Sequence, residues 1–313
     1  MTSKRTACVS HSIDIDGWLS AAIVKKYYME QGEEVEYVGF THGQELPDLS
    51  MYERVVMCDI AFPRKEMMGL AMRLKDDFIW IDHHISAIKE MGGDEAWEPQ
   101  LNGLRDVKFA ACELTWRFFY TLTEMPEFVR LCGRYDCFGH KGTDEEMKVL
   151  EFQYFARSYV YDVDSAGNIG LDRNLDIDIM LQKGKDIYKY LVVEAKQVYK
   201  NGFVILLDEP RREIAGIDSE SRLPVYNTHS GDGQRKFICF NRERFNPVNF
   251  GLDYHADGYD GAACFYYDGK KYNFSIYNDN GKVNCSEIAK TFGGGGHAGA
   301  SGFIVDDLKK VTG

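Results

Sequence analysis

The amino-acid sequence predicts an α/β protein in three parts: a parallel-sheet N-terminal domain with helices on both faces, a helical linker, and a smaller mixed-sheet α/β C-terminal domain. The chain has 313 residues, which at about 150 residues per domain suggests two domains. Its first third alternates short apolar runs with helical patterns, which is typical of a parallel sheet covered by helices. After Gly202 the pattern changes to strands and turns. We expect the first domain at 1–190, the linker at 191–205 and the second domain at 206–313.

The elements of the first domain follow from the periodicity of its apolar residues. Short apolar runs predict strands, and segments with helical periodicity predict helices. The predicted strands are 6–10, 35–40, 54–60 and 77–84, and the predicted helices are 17–30 and 62–74. The segment 110–201 is mostly helical, and its last helix, 175–199, is long enough to link two domains.

The second domain shows strand-like runs separated by turn residues. Asp268-Gly269 lies between two apolar runs and predicts a β-hairpin. A short helix at 285–292 leads into a glycine-rich run, which is followed by another strand.

The charge balance of the chain is acidic, with 37 Lys and Arg against 49 Asp and Glu and a formal net charge of −12. A protein that holds long nucleic acid by neutralising phosphates needs a basic face, so we expect no long duplex partner. The sequence shows neither a signal-peptide pattern nor an apolar run of the roughly 20 residues needed to span a membrane, so no membrane partner is expected. The eight cysteines form no C-x-x-C pair, which predicts reduced thiols and a cytoplasmic location.

Carboxylates and imidazoles collect where the predicted strands end. The side chains concerned are His11, Asp14, Asp16, Asp59, Asp82, His83 and His84, with Asp136 as a further candidate on a helical stretch. In extended backbone Asp14 and Asp16 point the same way, because they are two residues apart. Taken alone, an aspartate such as Asp59 more often caps a helix. Together, this much negative charge at neighbouring strand ends requires cations, and open α/β sheets place their ligand sites at this edge.

The types of these side chains indicate which cations they suit. Mixed His and Asp ligands favour Mn²⁺ or a related transition metal over a Mg²⁺ site made of oxygen alone. The ligands are numerous enough for two ions that share one carboxylate. The sequence therefore predicts a dinuclear metal site.

A glycine-rich run, FGGGGHAGASGF at 292–303, is the second candidate site. Consecutive glycines expose backbone N–H groups without a Cβ in the way and form a natural nest for phosphate. His297 adds a donor in the same place. A flexible surface loop is the alternative, but the helix and the strand that closely flank the run favour a structured turn. The spacing differs from that of the G-x-x-x-x-G-K-[ST] phosphate-binding loop.

In their order along the chain, these motifs resemble those of the DHH phosphoesterase family with its DHH-associated C-terminal domain. The match covers nearly the whole chain. HSIDIDG at 11–17 resembles the first motif, Asp59 the second, the Asp82-His83-His84 triplet the third and Asp136 the fourth, and 292–303 is similar to the glycine-rich signature. The resemblance implies two Mn²⁺ ions, with Mg²⁺ or Co²⁺ as substitutes.

The resemblance also implies roles for individual residues. The implied ligands of one ion are His11, Asp14 and Asp59, and those of the other are Asp16, Asp59, His83 and Asp136. The implied catalytic residues are His84, which faces the scissile phosphate, and Asp82. The implied phosphate-binding residues are Gly294, Gly295, Gly296 and His297.

The implied activity is metal-dependent hydrolysis of short single-stranded RNA or DNA oligonucleotides or dinucleotides, as in the nano-RNase branch, with a metal-bridging hydroxide attacking phosphorus. Two other enzymatic interpretations stay open: a phosphatase acting on small nucleotides such as 3′-phosphoadenosine 5′-phosphate, and an exopolyphosphatase. Family members that act on short oligonucleotides often carry an arginine where this chain has Tyr277, so other groups hold the phosphate or the substrate differs. A non-catalytic, metal-dependent nucleotide-binding module is the hypothesis from another class. Oligomeric state is left open.

Overall fold

The computed structural model describes residues 4–92, 101–172, 174–217, 224–229 and 233–312. The chain divides into two units, Met1–Lys189 and Tyr190–Gly313. The first unit contains a four-stranded parallel sheet and the second a six-stranded mixed sheet. The predicted α/β class is therefore confirmed.

The parallel sheet of the first unit has the strand order β2-β1-β3-β4. Its strands are β1 (Thr6–His11), β2 (Val35–Phe40), β3 (Arg54–Cys58) and β4 (Phe78–Ile81). These four strands lie where the apolar runs predict them. The third is shorter than predicted, because the backbone of Asp59 turns into the left-handed region (φ 60°) and leaves the sheet.

The helices of the first unit surround this sheet. They are α1 (Ile15–Met29), α2 (Arg64–Leu74), α3 (Ile85–Glu90), α4 (Ala111–Phe119), α5 (Glu127–Asp136), α6 (Glu146–Tyr159) and α7 (Val163–Gly170). A 3-10 turn at Lys75–Asp77 precedes β4. The long helix α8 (Ile177–Lys200) includes the position at which the two units divide.

Both faces of the parallel sheet are buried, because successive side chains of each strand enter two different core clusters. Val56 and Ile81 belong to the cluster that includes apolar residues of α1, α4, α5 and α6. Met57 and Trp80 belong to the cluster on the other face, which includes residues of α2. The prediction of helices on both faces is confirmed, and polar side chains of the sheet gather at the strand ends.

The described residues of the second unit include a mixed sheet, a separate two-stranded ribbon, two short α-helices, a 3-10 turn at Pro247–Phe250 and the end of α8. The strands are β5 (Phe203–Asp208), β6 (Arg211–Ile217), β7 (Pro224–His229), β8 (Gln234–Asn241), β9 (Gly261–Tyr267), β10 (Tyr272–Tyr277), β11 (Gly295–His297) and β12 (Ala300–Val305). The helices are α9 (Cys285–Thr291) and α10 (Lys309–Thr312). The sheet order is β11-β12-β10-β9-β8-β5, with β6 and β7 forming the ribbon.

Burial in the second unit is concentrated on one face of the mixed sheet, where Phe237, Phe274 and Phe303 pack with Ile288 of α9. The eight cysteines of the chain form no disulfide in the structure. None of the helices in the described part of the chain is both long and apolar enough to span a membrane.

Candidate metal centre

The turn between β1 and α1 places three of the predicted ligands. His11 ends β1, and Asp14 caps α1 by accepting a hydrogen bond from the Gly17 N–H at 3.0 Å. The Nδ1 atom of His11 lies 2.6 Å from Oδ2 of Asp14. A Cβ on Gly17 would lie only 2.1 Å from the carbonyl oxygen of His11, so glycine is what allows α1 to begin this close to the strand. The expectation of extended backbone through Asp16 is wrong, because α1 begins at Ile15.

Asp16 lies in the first turn of α1 and is buried. Its Oδ1 accepts a hydrogen bond from the Cys112 N–H at 2.7 Å, and its Oδ2 accepts one from the Ala111 N–H at 2.9 Å. Both donors belong to the first turn of α4, where backbone amides have no partner within the helix. The positive end of the α4 dipole therefore stabilises the Asp16 carboxylate.

Asp59 is the central carboxylate of the site and is only 2% exposed. Its backbone N–H donates to the carbonyl of Ile81, which ties the end of β3 to the end of β4. Its Oδ1 lies 3.3 Å from Nε2 of His83 but accepts no hydrogen bond from the described residues, and its Oδ2 lies 3.8 Å from Nδ1 of His11. The helix-capping interpretation of Asp59 is wrong, because the next helix begins at Arg64.

Asp82 is fully buried, and hydrogen bonds occupy both of its carboxylate oxygens. Its Oδ1 accepts from the backbone N–H groups of His83 and His84 and lies 2.8 Å from Nδ1 of His84. Its Oδ2 accepts from Nε1 of Trp80 at 3.3 Å. These contacts fix the orientation of the His84 ring, and the Nε2 atom of that ring points away from this bond.

His83 is buried among three carboxylates. Its Nε2 lies 3.3 Å from Asp59 Oδ1, 3.3 Å from Asp136 Oδ2 and 3.6 Å from Asp16 Oδ2. Asp136 reaches this place as the last residue of α5. Asp136, which the sequence places on a helical stretch, therefore lies at the same edge of the sheet as the residues that follow the strands.

Two groups of the predicted ligand atoms share Asp59. One group consists of His11, Asp14 and Asp59 and the other of Asp16, Asp59 and His83, and within each group the atoms lie within 4.8 Å of one another. A third group of Asp59, Asp82 and His84 shares it as well, but Asp82 Oδ1 and His84 Nδ1 lie 2.8 Å apart and are paired with each other. Mixed imidazole and carboxylate ligands suit divalent transition metals. These buried His and Asp clusters therefore fit the two cations that the sequence predicts, with the open Oδ1 of Asp59 at the centre.

The neighbouring negative charges of the site shift the pKa values of its carboxyl groups. Burial, followed by the charges of Asp16 and Asp14, raises the pKa values of Asp59 and Asp136 well above their usual range. Burial alone would also raise the pKa of Asp14, but the hydrogen bond and charge of His11 lower it to about 2. Crowded buried carboxylates are unfavourable unless a cation neutralises them, so the electrostatics and the ligand geometry agree.

The charges around His84 stabilise the protonated form of its ring. Burial lowers its pKa, but the charge and hydrogen bond of Asp82 outweigh this effect and raise the pKa to about 9. In the metal-free protein the ring of His84 is therefore protonated at neutral pH. Its side chain is 28% exposed, so it is within reach of a bound anion.

The glycine-rich run of the second unit forms the β11–β12 hairpin, which confirms the predicted structured turn. Gly296 has φ 137°, and a Cβ there would lie 2.8 Å from the Ala300 carbonyl oxygen. The N–H of Gly294 donates to the Ala289 carbonyl and so closes α9. Gly295 is exposed and His297 is partly exposed in this hairpin. Phosphate binding by the hairpin stays a prediction.

Sequence reasoning missed His42, which follows β2 just as the recognised residues follow the other strands. The hydroxyl of Thr41 next to it is 2.9 Å from that of Ser12, which ties this loop to the first motif. Desolvation by the nearby protein, then the charges of His11 and His84, lowers the pKa of His42. Because β2 is the neighbour of β1 in the sheet, the same strand-end argument also predicts His42 near the centre.

Comparison with known proteins gives distant matches over most of the chain. No family model matches the sequence. An uncharacterized protein of Acanthamoeba polyphaga mimivirus is 22% identical over 322 aligned positions, which cover 96% of this chain and 67% of that protein.

Three solved structures align with nearly the whole chain. An exopolyphosphatase-related protein from Bacteroides fragilis has 13% identity and a TM-score of 0.49, covering 98% of this chain and 88% of that one. The pGpG-specific phosphodiesterase PggH from Vibrio cholerae has 13% identity and a TM-score of 0.49, covering 98% and 95%. RecJ from Thermus thermophilus with Mn²⁺ has 12% identity and a TM-score of 0.43, covering 97% and 50%.

Proposed function

We propose that the protein is a divalent-metal-dependent phosphoesterase that hydrolyses short oligonucleotides or dinucleotides. The observation that carries the proposal is that two groups of predicted ligands share the buried Asp59. We assign one ion to His11, Asp14 and Asp59, and the other to Asp16, Asp59, His83 and Asp136. Two divalent cations, when bound, supply a water nucleophile at neutral pH and neutralise charge on the phosphate.

The residues around the ligands orient and stabilise the phosphate. Asp82 accepts a hydrogen bond from Nδ1–H of His84, and this bond directs the Nε2–H of His84 outward. With Nδ1 paired to Asp82, the partly exposed ring of His84 presents Nε2–H as a hydrogen-bond donor to a non-bridging phosphate oxygen. Asp82 is thus a positioning residue, and His84 is the catalytic residue that contacts the substrate.

Short substrates are favoured by the charge of the protein. A net charge of −12 repels a long polyanion, whereas a small phosphate ester needs only the local positive charge of the metal centre. Small nucleotides with a terminal phosphate, and polyphosphate, fit the same argument and are compared directly in the test.

The proposal is tested by measuring Mn²⁺-dependent hydrolysis of a substrate panel. The panel contains dinucleotides, short RNA and DNA oligomers, long single strands, 3′-phosphoadenosine 5′-phosphate and polyphosphate. We expect the highest kcat/KM on the dinucleotides, a fall with increasing length, and loss of activity in EDTA. Equal rates on dinucleotides and long strands contradict the short-substrate proposal. Nucleotide binding without hydrolysis of any substrate contradicts an enzymatic function.

His297→Ala is expected to weaken hydrolysis of dinucleotides far more than hydrolysis of bis(p-nitrophenyl) phosphate. We propose that the partly exposed His297 and the backbone of Gly295 and Gly296 hold a phosphate other than the reacting one. Gly294 is left out of this set, because its N–H already donates to the Ala289 carbonyl. Loss of one hydrogen bond to a charged group is worth about 1.5–3 kcal/mol, or roughly 10- to 150-fold in kcat/KM. The measurement compares both substrates in the variant and in Lys270→Ala, an exposed control in the same unit. Equal losses on the two substrates contradict the role of His297.

A further inference from the structure

Glu113 is a buried acidic residue outside both ligand groups. It lies on α4 and is only 2% exposed. Its Oε2 accepts a hydrogen bond from the Ala110 N–H at 3.1 Å and lies 2.5 Å from the Arg134 guanidinium. A buried ion pair is weak evidence for stability, because desolvation offsets much of its attraction. The position of the Glu113–Arg134 pair in the molecule therefore says more about its role than its contribution to stability does.

The Glu113–Arg134 pair joins the two helices that position the carboxylates of Asp16 and Asp136 beside His83. Helix α4 holds Asp16 through the N–H groups of its first turn. Helix α5 carries Arg134 and, two residues later, Asp136. The Oδ2 atoms of Asp16 and Asp136 lie 3.6 and 3.3 Å from the same nitrogen of His83. The distance between α4 and α5 therefore influences the separation of the two carboxylates.

Helices α4 and α5 pack closely at their junction, where Glu113 meets Gly133 and Arg134. A Cβ on Gly133 would lie 2.5 Å from Cγ of Glu113, so α5 approaches the Glu113 side chain as closely as a glycine permits. The guanidinium of Arg134 also donates to the Lys108 carbonyl at 3.0 Å and lies 5.0 Å from the ring centre of Phe109. With its position fixed from several directions, Arg134 can hold Glu113 in a single geometry.

We propose that Glu113 and Arg134 are positioning residues that set the spacing of Asp16 and Asp136 and thereby tune the affinity of the cation held by Asp16, Asp59, His83 and Asp136. Neither residue is one of the assigned ligands. The inference rests on the proposed function, since it takes this ligand group as metal-binding. Residues that orient metal ligands typically change metal affinity by about 10- to 100-fold when they are replaced.

A second ion-pair cluster on the same helix provides the control. Arg130 lies one turn before Arg134 on α5, 2.6 Å from Glu127 and 2.8 Å from Glu145. Neither partner belongs to α4. Arg130→Gln therefore removes a comparable charged contact of α5 without altering its junction with α4. A general loss of helix stability should appear in this variant too, whereas a change in ligand spacing should not.

The test is a Mn²⁺ titration followed by electron paramagnetic resonance, together with thermal unfolding in EDTA. Glu113→Ala is expected to weaken one of two Mn²⁺ sites by about tenfold or more, with KM for a dinucleotide unchanged at saturating Mn²⁺. Glu113→Gln keeps an oxygen acceptor for the Ala110 N–H and for Arg134, so it should recover most of the affinity. Arg130→Gln should lower only the unfolding temperature.

The outcomes separate this inference from the proposed function. A wild-type protein that binds no Mn²⁺ overturns the proposed function. Wild-type binding with unchanged affinity in Glu113→Ala, or with an equal loss in Arg130→Gln, overturns the inference alone. If Glu113→Ala does not fold, Arg134→Lys takes its place. It keeps the charge but loses the planar fork, so it should also weaken one Mn²⁺ site, and unchanged affinity there overturns the inference.

Discussion

Asp59→Asn is expected to abolish metal-dependent hydrolysis while stabilising the metal-free protein. Asp59 belongs to both ligand groups, so the neutral amide weakens both sites at once. Bound metals supply several kcal/mol of transition-state stabilisation, and we expect kcat/KM to fall by at least about 10³-fold. The substitution keeps the size of the side chain, and asparagine tolerates the left-handed backbone of this position (φ 60°).

The expected gain in stability comes from the charge of Asp59. Burial and the neighbouring carboxylates raise its pKa well above the usual range. A carboxyl group with a raised pKa in the folded state contributes stability below its unfolded pKa, and that contribution is lost as pH rises through the folded value. In the absence of metal, Asp59→Asn should therefore be more stable than the wild type at neutral pH by about 1–3 kcal/mol. The difference should decrease as pH falls towards the unfolded pKa of about 4 and be absent below it.

Urea unfolding in EDTA and in Mn²⁺, at neutral and acidic pH, measures this effect. Added Mn²⁺ should stabilise the wild type but not Asp59→Asn, because only a state that binds the ligand gains from it. Asp164→Asn is the matched control: its side chain is 77% exposed and pairs with Lys25, so both activity and stability should stay close to wild type. An active Asp59→Asn enzyme contradicts the metal assignment, and a destabilised variant contradicts the argument from charge crowding.

The sequence predicts that the polar residues after the strands belong to the site, because their place depends only on the neighbouring apolar run. Asp59 and the Asp82-His83-His84 triplet follow apolar runs, and parallel strands bring their carboxyl ends to one edge. The same rule extends to His42, which was missed. In contrast, the amides that hold Asp16 lie 95 and 96 positions away along the chain. Their meeting depends on how α4 packs, and periodicity does not specify that packing.

Backbone conformation limits prediction in a different way. An aspartate after a strand is most often a helix cap, and this expectation holds for Asp14 but fails for Asp59. The difference is a positive φ at Asp59, which residue type alone does not reveal. Likewise, helical periodicity predicts α5 but not that Asp136 at its end faces His83. Gly133 and Arg134 of α5 contact Glu113 of α4, and periodicity does not specify such tertiary contacts.

Gly17→Ala is expected to destabilise the fold by about 3 kcal/mol or more and to remove Mn²⁺ binding. In most helices, alanine is preferred to glycine by roughly 1 kcal/mol, so propensity alone predicts the opposite sign. The added Cβ would lie 2.1 Å from the carbonyl oxygen of His11 and 2.9 Å from its Cβ. Both are parts of the residue that ends β1, so relief of the clash must displace His11 or the start of α1.

Gly69→Ala is the control that separates these two effects. Gly69 lies within α2, and a Cβ there would meet no atom within 4 Å, so alanine should stabilise the protein by roughly 0.5–1 kcal/mol. Urea unfolding and Mn²⁺ titration of both variants measure the contrast. Stabilisation by Gly17→Ala would show that α1 can move away from His11 freely. The expected loss instead means that backbone contact, as much as ligand chemistry, holds His11, Asp14 and Asp16 together.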